Sequence, residues 1–421
     1  VSPAPRSLSG VFAPPGDKSI SHRVGLFSLL AGGTCRVENY SPCADCQSTL
    51  GAVTALGGRL ERQGQVLVLT GAQGRLNPRA EVDCGNSGTT FRLLMGLLAG
   101  RPGAYRLDGD ESLRRRPMER VAAPLRLMGA SVSTSEGRPP VTISGSELRG
   151  IDYALPVASA QLKSALLLAG LQAVGPTTVH EPAPSRDHSE RLLALCGAAI
   201  SRREGWAKVE ASALTLPASL RVPGDASSAA FFLCAAAITP GSRVTAEGVL
   251  LNPTRTGFLT VLERMGARLG VTQQGQEPEE WGQVAAEFSS ELKATEIAAA
   301  EVPLLVDEVP ILALAATQAR GTTVFHGVEE LRIKETDRLA AITSQLGAMG
   351  AKLWTEDDRL LVQGPTPLSV PERLESFGDH RIAMTLRLAL GLAGGDCAIN
   401  DEDCAAISYP GFAADLEKLW A

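Results

Sequence analysis

Two kinds of apolar stretch alternate along this chain, and each repeats. One is an alanine- and leucine-rich run opened by a short polar motif: PGDKSISHR, CGNSGTTFR, VASAQLKSA, PGDASSAAF, VDEVPILA and FGDHRIAM. Each motif predicts the start of a helix, and most of these helices end in a Gly-Thr-like turn and a β-branched strand, as in AGGTCRVENY, VGPTTVHEP and ARGTTVFHGV. The other is a leucine-rich helix that stops at a glycine and passes into a short strand: ALGGRLE at Gly57, RLMGASVS at Gly129, LCGAAIS at Gly197, RMGARLG at Gly266 and AMGAKLW at Gly350. Both series recur at roughly seventy residues, a period that marks a repeat architecture. The chain therefore reads as six copies of one α/β unit with two helices apiece. A one-dimensional solenoid is the plain alternative, but the copies are too divergent and too rich in special residues at their helix starts. Packing around a shared core would aim the helix N-termini into a common space.

The polar residues at those starts suit an anion. In PPGDKSISHR, the apolar positions Val24, Leu26, Phe27, Leu29 and Leu30 predict a helix capped by Asp17 or Ser19, with Lys18 and Arg23 at or near its N-terminus. A helix N-terminus already carries partial positive charge, so cations belong there only when something negative joins them. The same series carries Asn86, Gly88, Thr89, Arg92, Ser159, Gln161, Lys163, His380 and Arg381. Intervening segments add Arg114, Arg115 and Arg116 in RRRPM, Arg186 in SRDHSE, and Arg332, Lys334, Glu335, Asp337 and Arg338 in LRIKETDRL. Arg offers bidentate contacts to carboxylate or phosphate, Lys a point charge, and Ser, Thr and backbone N–H the remaining donors. Any one of these arginines, taken alone, reads as a solvated face or a helix-end salt bridge. The whole set, at equivalent repeat positions, points to a small and highly charged ligand.

A phosphate-binding P-loop is excluded, because Asp17 separates Gly16 from Lys18 and the upstream glycine is absent. Among carboxylates, Asp307 stands in the apolar LLVDEVPIL, where it must be paired, functional or a helix N-cap; Glu335 lies in a cationic cluster. His380, between Asp379 and Arg381, reads equally as a general base or a packed histidine.

Composition narrows the setting. With 421 residues, 44% hydrophobic, the chain is long enough for two or three domains. A net charge of −6 with scattered basic residues argues against a nucleic-acid or anionic-membrane surface. No apolar stretch is long enough to span a bilayer, VSPAPRSLSGVF lacks the core of a secretion signal, and a cytoplasmic protein is the expectation. Eight cysteines without dense spacing fit reduced thiols, and Cys43 with Cys46 has no second pair to build a metal site.

PGDKSISHR, GNSGTTFR, RRRPM, SAQLKSALLLAGL, SRDHSE, VPGDASSAAFFL, KETDRL and FGDHRIAM, in this order and through to SYPGF, resemble the 5-enolpyruvylshikimate-3-phosphate (EPSP) synthase family over essentially the whole chain. SAQLKS and SRDH are similar to the branch found in many bacteria, apart from the enteric and plant type. The resemblance implies a two-domain inside-out α/β barrel of six βαβαββ repeats, three per domain. Domain I would be discontinuous, 1–17 with 222–421, and domain II would span 18–221, with the active site in a cleft that closes on substrate. It implies that Lys18, Ser19, Arg23, Thr89, Ser159, Gln161, Arg186, Asp307 and Lys334 hold shikimate 3-phosphate. Phosphoenolpyruvate falls to Lys18, Gly88, Arg116, Gln161, Arg338 and Arg381, with Asn86, Arg92 and His380 in support. Asp307, Glu335 and Lys18 are the implied proton-transfer groups. Neither a metal nor an organic cofactor is called for, and a monomer inhibited by glyphosate is expected.

Two positions depart from the family pattern. Ala160 stands where some members carry a second serine, and Ile407 where some carry a lysine shortly before the C-terminal Ser-Tyr-Pro. The nearest rival is the sister transferase acting on UDP-N-acetylglucosamine, which carries a reactive cysteine on a mobile loop; the corresponding GDESLRRRPM has none, and no cysteine lies between Cys84 and Cys196. A binding repeat or RNA-end-processing relative is disfavoured by the acidic net charge and the lack of aromatic residues near the basic motifs.

Overall fold

The computed structural model describes residues 4–420, which divide into two compact units. One runs from Gly16 to Val222; the other joins the N-terminal residues up to Pro15 with the chain from Pro223 onward.

Each helix-start motif opens an inner helix of its unit. In the 16–222 unit these are Lys18–Phe27, Gly88–Ala99 and Ala160–Gly170. In the other they are Ala226–Ile238, Val309–Ala316 and His380–Ala393. Every residue of Ala226–Ile238 and of Val309–Ala316 is buried. A helix that is apolar on all sides has no amphipathic stripe and is stable only when surrounded by other elements. Close approach is also written into the sequence: a Cβ at Gly96 would stand 2.0 Å from the carbonyl oxygen of Ala165, so only glycine lets these two inner helices meet.

The five glycine-terminated helices are the second helix of the first five copies. After the helix Arg338–Ala348 the Gly350 N–H donates to the Gly347 carbonyl, Ala351 N–H reaches back to Leu346, and Gly350 takes a φ of 93°. This left-handed stop is the usual way to satisfy the last carbonyls before the chain turns into a strand.

Five four-stranded sheets share one pattern, a parallel edge strand followed by an antiparallel hairpin. The chain ends close each circuit. Ser219–Arg221, the last strand of the 16–222 unit, pairs parallel with Thr34–Glu38 near its beginning. Ser9–Phe12 does the same for Arg243–Leu250 in the other unit. The sixth copy departs from the rule: it keeps only the parallel pair Arg373–Glu375 and Ala398–Asn400, then runs into the 3-10 turn Glu402–Ile407 and the helix Phe412–Leu419. SYPGF supplies the anchor, since Phe412 stacks on Phe232 at 5.2 Å and Tyr409 packs edge-on to both.

Candidate active site

In the 16–222 unit, three inner-helix N-termini gather Lys18, Arg23, Arg92 and Arg116 among hydroxyl, amide and carboxylate groups. Asp17, not Ser19, caps the first helix, its Oδ1 accepting from Ile20 N at 2.8 Å. Lys18 then pairs with Asp45 at 3.0 Å while staying one-fifth exposed. Arg23 is buried one turn further in, where it donates to Ser189 Oγ (2.7 Å), Ser164 Oγ (2.9 Å) and the Ser19 carbonyl (3.0 Å).

The second and third helices are capped by serine. Ser87 accepts from Thr90 N at 3.1 Å and Ser159 from Leu162 N at 3.4 Å. A serine cap satisfies an N–H without adding negative charge, so the helix field there is left for another anion. Gln161 ties the two starts together, accepting from Arg92 and donating to Thr89 Oγ1 at 2.9 Å. Arg116 donates to Asn86 Oδ1 at 2.8 Å, and Asn86 in turn to Asp110. Gly88 lies under this group: a Cβ on it would stand 3.1 Å from Arg92 Nη1 and 3.2 Å from Arg116 Nη1. Arg114 and Arg115 are exposed, and Arg114 is taken up by Asp108. Arg186 is half-buried in the segment after the strand Thr177–His180.

His22 is a buried member of this region. Its Nδ1 meets Thr49 Oγ1 at 2.5 Å, and Thr49, Thr90 and Ser87 continue the hydroxyl chain to the cap of the second helix. Burial first, then the charges of Lys18 and Arg23, push its pKa well below that of free histidine, so it is neutral.

The other unit gathers carboxylates instead. Arg338, 1% exposed, donates to Asp379 Oδ2 at 2.8 Å, Glu335 Oε2 at 2.7 Å and Asp307 Oδ1 at 3.2 Å. Burial opposes its charge, but the three carboxylates outweigh that and raise its pKa further. Arg381 lies against Asp307 as well, with Nε 3.5 Å from Oδ1 and Nη1 donating to the carbonyl at 3.3 Å. Lys334 belongs to the same cluster; burial lowers its pKa, partly offset by Asp307. Asp307 is therefore an ion-pair partner and not a cap: Glu308 holds the cap position of Val309–Ala316. His380 is buried at the first turn of His380–Ala393, whose cap is Asp379, accepting from Arg381 N at 2.9 Å. Arg332 stays exposed and pairs with Asp337, while Ile407 ends the 3-10 turn and is partly exposed.

The sequence reading missed two ion-pair partners, Asp45 and Asp379, and the direction in which Lys163 points. Asp45 carried no signal beyond being an acidic residue early in a helix. Asp379 did carry one, since Gly378-Asp379 repeats Gly16-Asp17 and Gly224-Asp225, and all three aspartates are caps. Lys163, counted among the helix-start cations, turns inward to Glu181 and Glu190. The eight cysteines are free thiols, Cys43 and Cys46 buried among them, and no group of three or more His, Cys, Asp or Glu side chains that could hold a metal occurs among the described residues.

Chemically, the first group can hold phosphate and carboxylate, and the second offers carboxylates beside fixed positive charge, the requirement for moving protons next to an oxyanion. Comparison with known proteins agrees with this chemistry. The family model described as EPSP synthase (3-phosphoshikimate 1-carboxyvinyltransferase) matches residues 3–416. A protein of that activity from Bacillus velezensis is 46% identical over 418 residues, covering 98% of this chain and 97% of its own. One from an Anaeromyxobacter species is 48% identical over 421 residues, covering 98% and 96%. A solved EPSP synthase from Acinetobacter baumannii superposes with a TM-score of 0.87 at 39% identity, covering 100% of this chain and 97% of that one. The enolpyruvyl transferase NikO from Streptomyces tendae, at 20% identity and a TM-score of 0.79, shares the fold. Six repeats with these helix starts, matched end to end at this level of identity, mean that the chain belongs to the EPSP synthase family, the 3-phosphoshikimate 1-carboxyvinyltransferases.

Proposed function

We propose a division of labour between the two groups of residues in the reaction of this family. The chain transfers the enolpyruvyl group of phosphoenolpyruvate to the 5-hydroxyl of shikimate 3-phosphate, releasing phosphate, a step of aromatic amino-acid biosynthesis. Lys18, Ser19, Arg23, Thr89, Ser159, Gln161 and Arg186 hold shikimate 3-phosphate, with Asp307 and Lys334 completing its site. Phosphoenolpyruvate is held by Lys18, Gly88, Arg116, Gln161, Arg338 and Arg381, with Asn86, Arg92 and His380 supporting them.

Asp307 accepts the proton of the attacking 5-hydroxyl. Glu335 delivers a proton to the methylene carbon of phosphoenolpyruvate and later recovers one from the methyl group, so that phosphate leaves the tetrahedral ketal intermediate. Lys18 serves the oxygen side. Arg116, Arg338 and Arg381 stabilise oxyanions from positions already fixed before the reaction, which spares reorganisation in the transition state. The observation that carries this reading is Arg338, whose one guanidinium fixes both Asp307 and Glu335.

Glyphosate, a phosphonate, fits the same phosphoenolpyruvate groups, and the protein acts as a cytoplasmic monomer; inhibition kinetics and sedimentation check these two points. The central test is phosphate release from phosphoenolpyruvate with shikimate 3-phosphate or UDP-N-acetylglucosamine as acceptor. Turnover with shikimate 3-phosphate alone is expected, and turnover with the sugar nucleotide would overturn the assignment.

A further inference from the structure

The Lys163 ammonium is a deeply buried charge in the 16–222 unit that the reaction does not use. It is 1% exposed and donates at 2.7 Å to Glu181 and at 2.7 Å to Glu190, whose side chains are 6% and 4% exposed. Two carboxylates on one buried ammonium is an expensive arrangement, because desolvating each ion costs several kcal/mol and well-packed apolar residues usually do as well. One carboxylate oxygen, Glu190 Oε2, is buried without a hydrogen-bond partner. A core needing only stability would not require this, so the position of the three residues in the chain becomes informative.

Glu181 and Glu190 bracket Arg186. Glu181 directly follows the strand Thr177–His180, and its second oxygen accepts from Ser185 Oγ, the residue before Arg186. Glu190 lies in the first turn of His188–Leu195, just after Arg186. The segment between them, PAPSRDHS, has no regular structure until His188. Lys163 itself sits in the first turn of Ala160–Gly170, beside Gln161 and the cap Ser159. The next residues along repeat the connection with neutral groups: Ser164 meets Ser189 at 2.6 Å, and both accept from the Arg23 guanidinium. One ionic and one hydroxyl bridge thus join the same two helices; the hydroxyl pair holds Arg23, and Arg186 lies in the segment between Glu181 and Glu190.

We infer that Lys163, with Glu181 and Glu190, is a positioning device that staples the 181–190 segment to an inner helix and so sets Arg186 and Arg23 for the phosphate of shikimate 3-phosphate. This rests on the assignment of those two arginines to that substrate. A phosphate contact from a flexible segment pays an ordering cost on each binding event, whereas a segment pinned at both ends has met it in folding.

The experiment compares Lys163→Met combined with Glu181→Gln and Glu190→Gln, which leaves no buried charge unpaired, with Glu181→Gln alone and with Arg186→Ala. Glu181→Gln keeps the side-chain shape and one ion pair, so it remains informative if the triple variant does not fold. Readouts are KM for each substrate, kcat, and amide hydrogen exchange across 182–187. Exchange there is expected to quicken at least about tenfold in the triple variant and less in Glu181→Gln. KM for shikimate 3-phosphate should rise at least about fivefold, with KM for phosphoenolpyruvate within about twofold, since a misplaced contact affects the substrate it serves. Unchanged exchange in either folded variant overturns the staple. Faster exchange with an unmoved KM for shikimate 3-phosphate, when Arg186→Ala does raise it, overturns the positioning role. If Arg186→Ala leaves that KM unmoved, the substrate assignment of Arg186 fails and the exchange rates alone decide on the staple.

Discussion

The two units build similar inner helices and differ in character at two N-termini apiece. In the 16–222 unit the second and third helices are capped by Ser87 and Ser159, and the arginines nearby lean on hydroxyls, amides and carbonyls. In the other unit two caps are Asp225 and Asp379, each also bound to a buried arginine, Arg255 at 3.4 Å and Arg338 at 2.8 Å. Neutral caps leave the helix field and the arginine charge available to a ligand anion. Charged caps use both internally and leave a balanced set in which Asp307 and Glu335 sit beside fixed positive charge. One repeat plan thus carries neutral caps at two helix starts of one unit and charged, internally paired caps at two of the other, by changing the capping residue and what lies opposite it.

The sharpest way to break that contrast is to remove the titratable group from the acidic side. Glu335→Gln keeps an acceptor for Arg338 and loses the proton, so turnover should fall by about 10² to 10⁴ with both KM values nearly unchanged. Steady-state kinetics retaining more than half the activity would make Glu335 a structural partner of Arg338.

Deleting the arginine on each side gives the next largest difference. Arg338→Met takes the guanidinium from the fully buried Asp379 and from the partly buried Asp307 and Glu335, and should lower unfolding stability by about 3–5 kcal/mol. Arg116→Ala removes a partly exposed guanidinium that donates to Asn86 Oδ1, so the stability loss should be smaller while phosphoenolpyruvate binding weakens by about 1.5–3 kcal/mol. Denaturant unfolding and ligand titration on both variants check this; equal stability losses would erase the distinction.

Gly88→Ala tests the binding side more gently. The added methyl would press on the far ends of Arg92 and Arg116, which can yield by a few tenths of an ångström, and φ at this position needs no glycine. The fold should therefore tolerate it. The substitution should raise the inhibition constant of glyphosate more than the KM for phosphoenolpyruvate, because discrimination comes from the added repulsion. An unchanged ratio of the two constants would place the phosphonate elsewhere.

The smallest effect concerns His22. Its folded-state pKa lies below the unfolded value of about 6.5, so the unfolded chain binds the extra proton and stability is lost as pH falls below that value. The slope approaches about 1.4 kcal/mol per pH unit for a single proton. His22→Asn should flatten the stability profile between pH 6.5 and 5, and thermal unfolding at several pH values reads it; an unaltered slope would mean that His22 takes up its proton in the fold.

Much of this protein was legible beforehand because capping and periodicity act over a few residues. A Gly-Asp before an alanine-rich run is a cap and an inner helix at residue 16, at 224 and at 378 alike. A glycine after a leucine-rich run is a helix stop wherever the next residue can reach back to the carbonyl five positions earlier, as Ala351 does. The cationic helix starts could be collected by the same logic. Where they point could not: Lys163 and Gln161 share a motif, yet one turns to Glu181 and Glu190 and the other bridges Arg92 and Thr89. Nor could Asp307 be told from a cap, since the arginine that claims it lies 31 residues away in sequence.

The sequence by itself determined the repeat, the six inner helices, the chemistry of their starts and the family to which they are similar. Those features depend on local backbone sterics, on which side chain can reach an N–H three residues ahead, and on how much apolar surface a run must bury. Tertiary structure decided which charge meets which: Arg338 with Asp379 across 41 residues, Arg23 with Ser189 across 166. Such pairs are chosen by how repeats stack and by the cost of burying any charge left without a partner, and neither quantity is local to a stretch of chain.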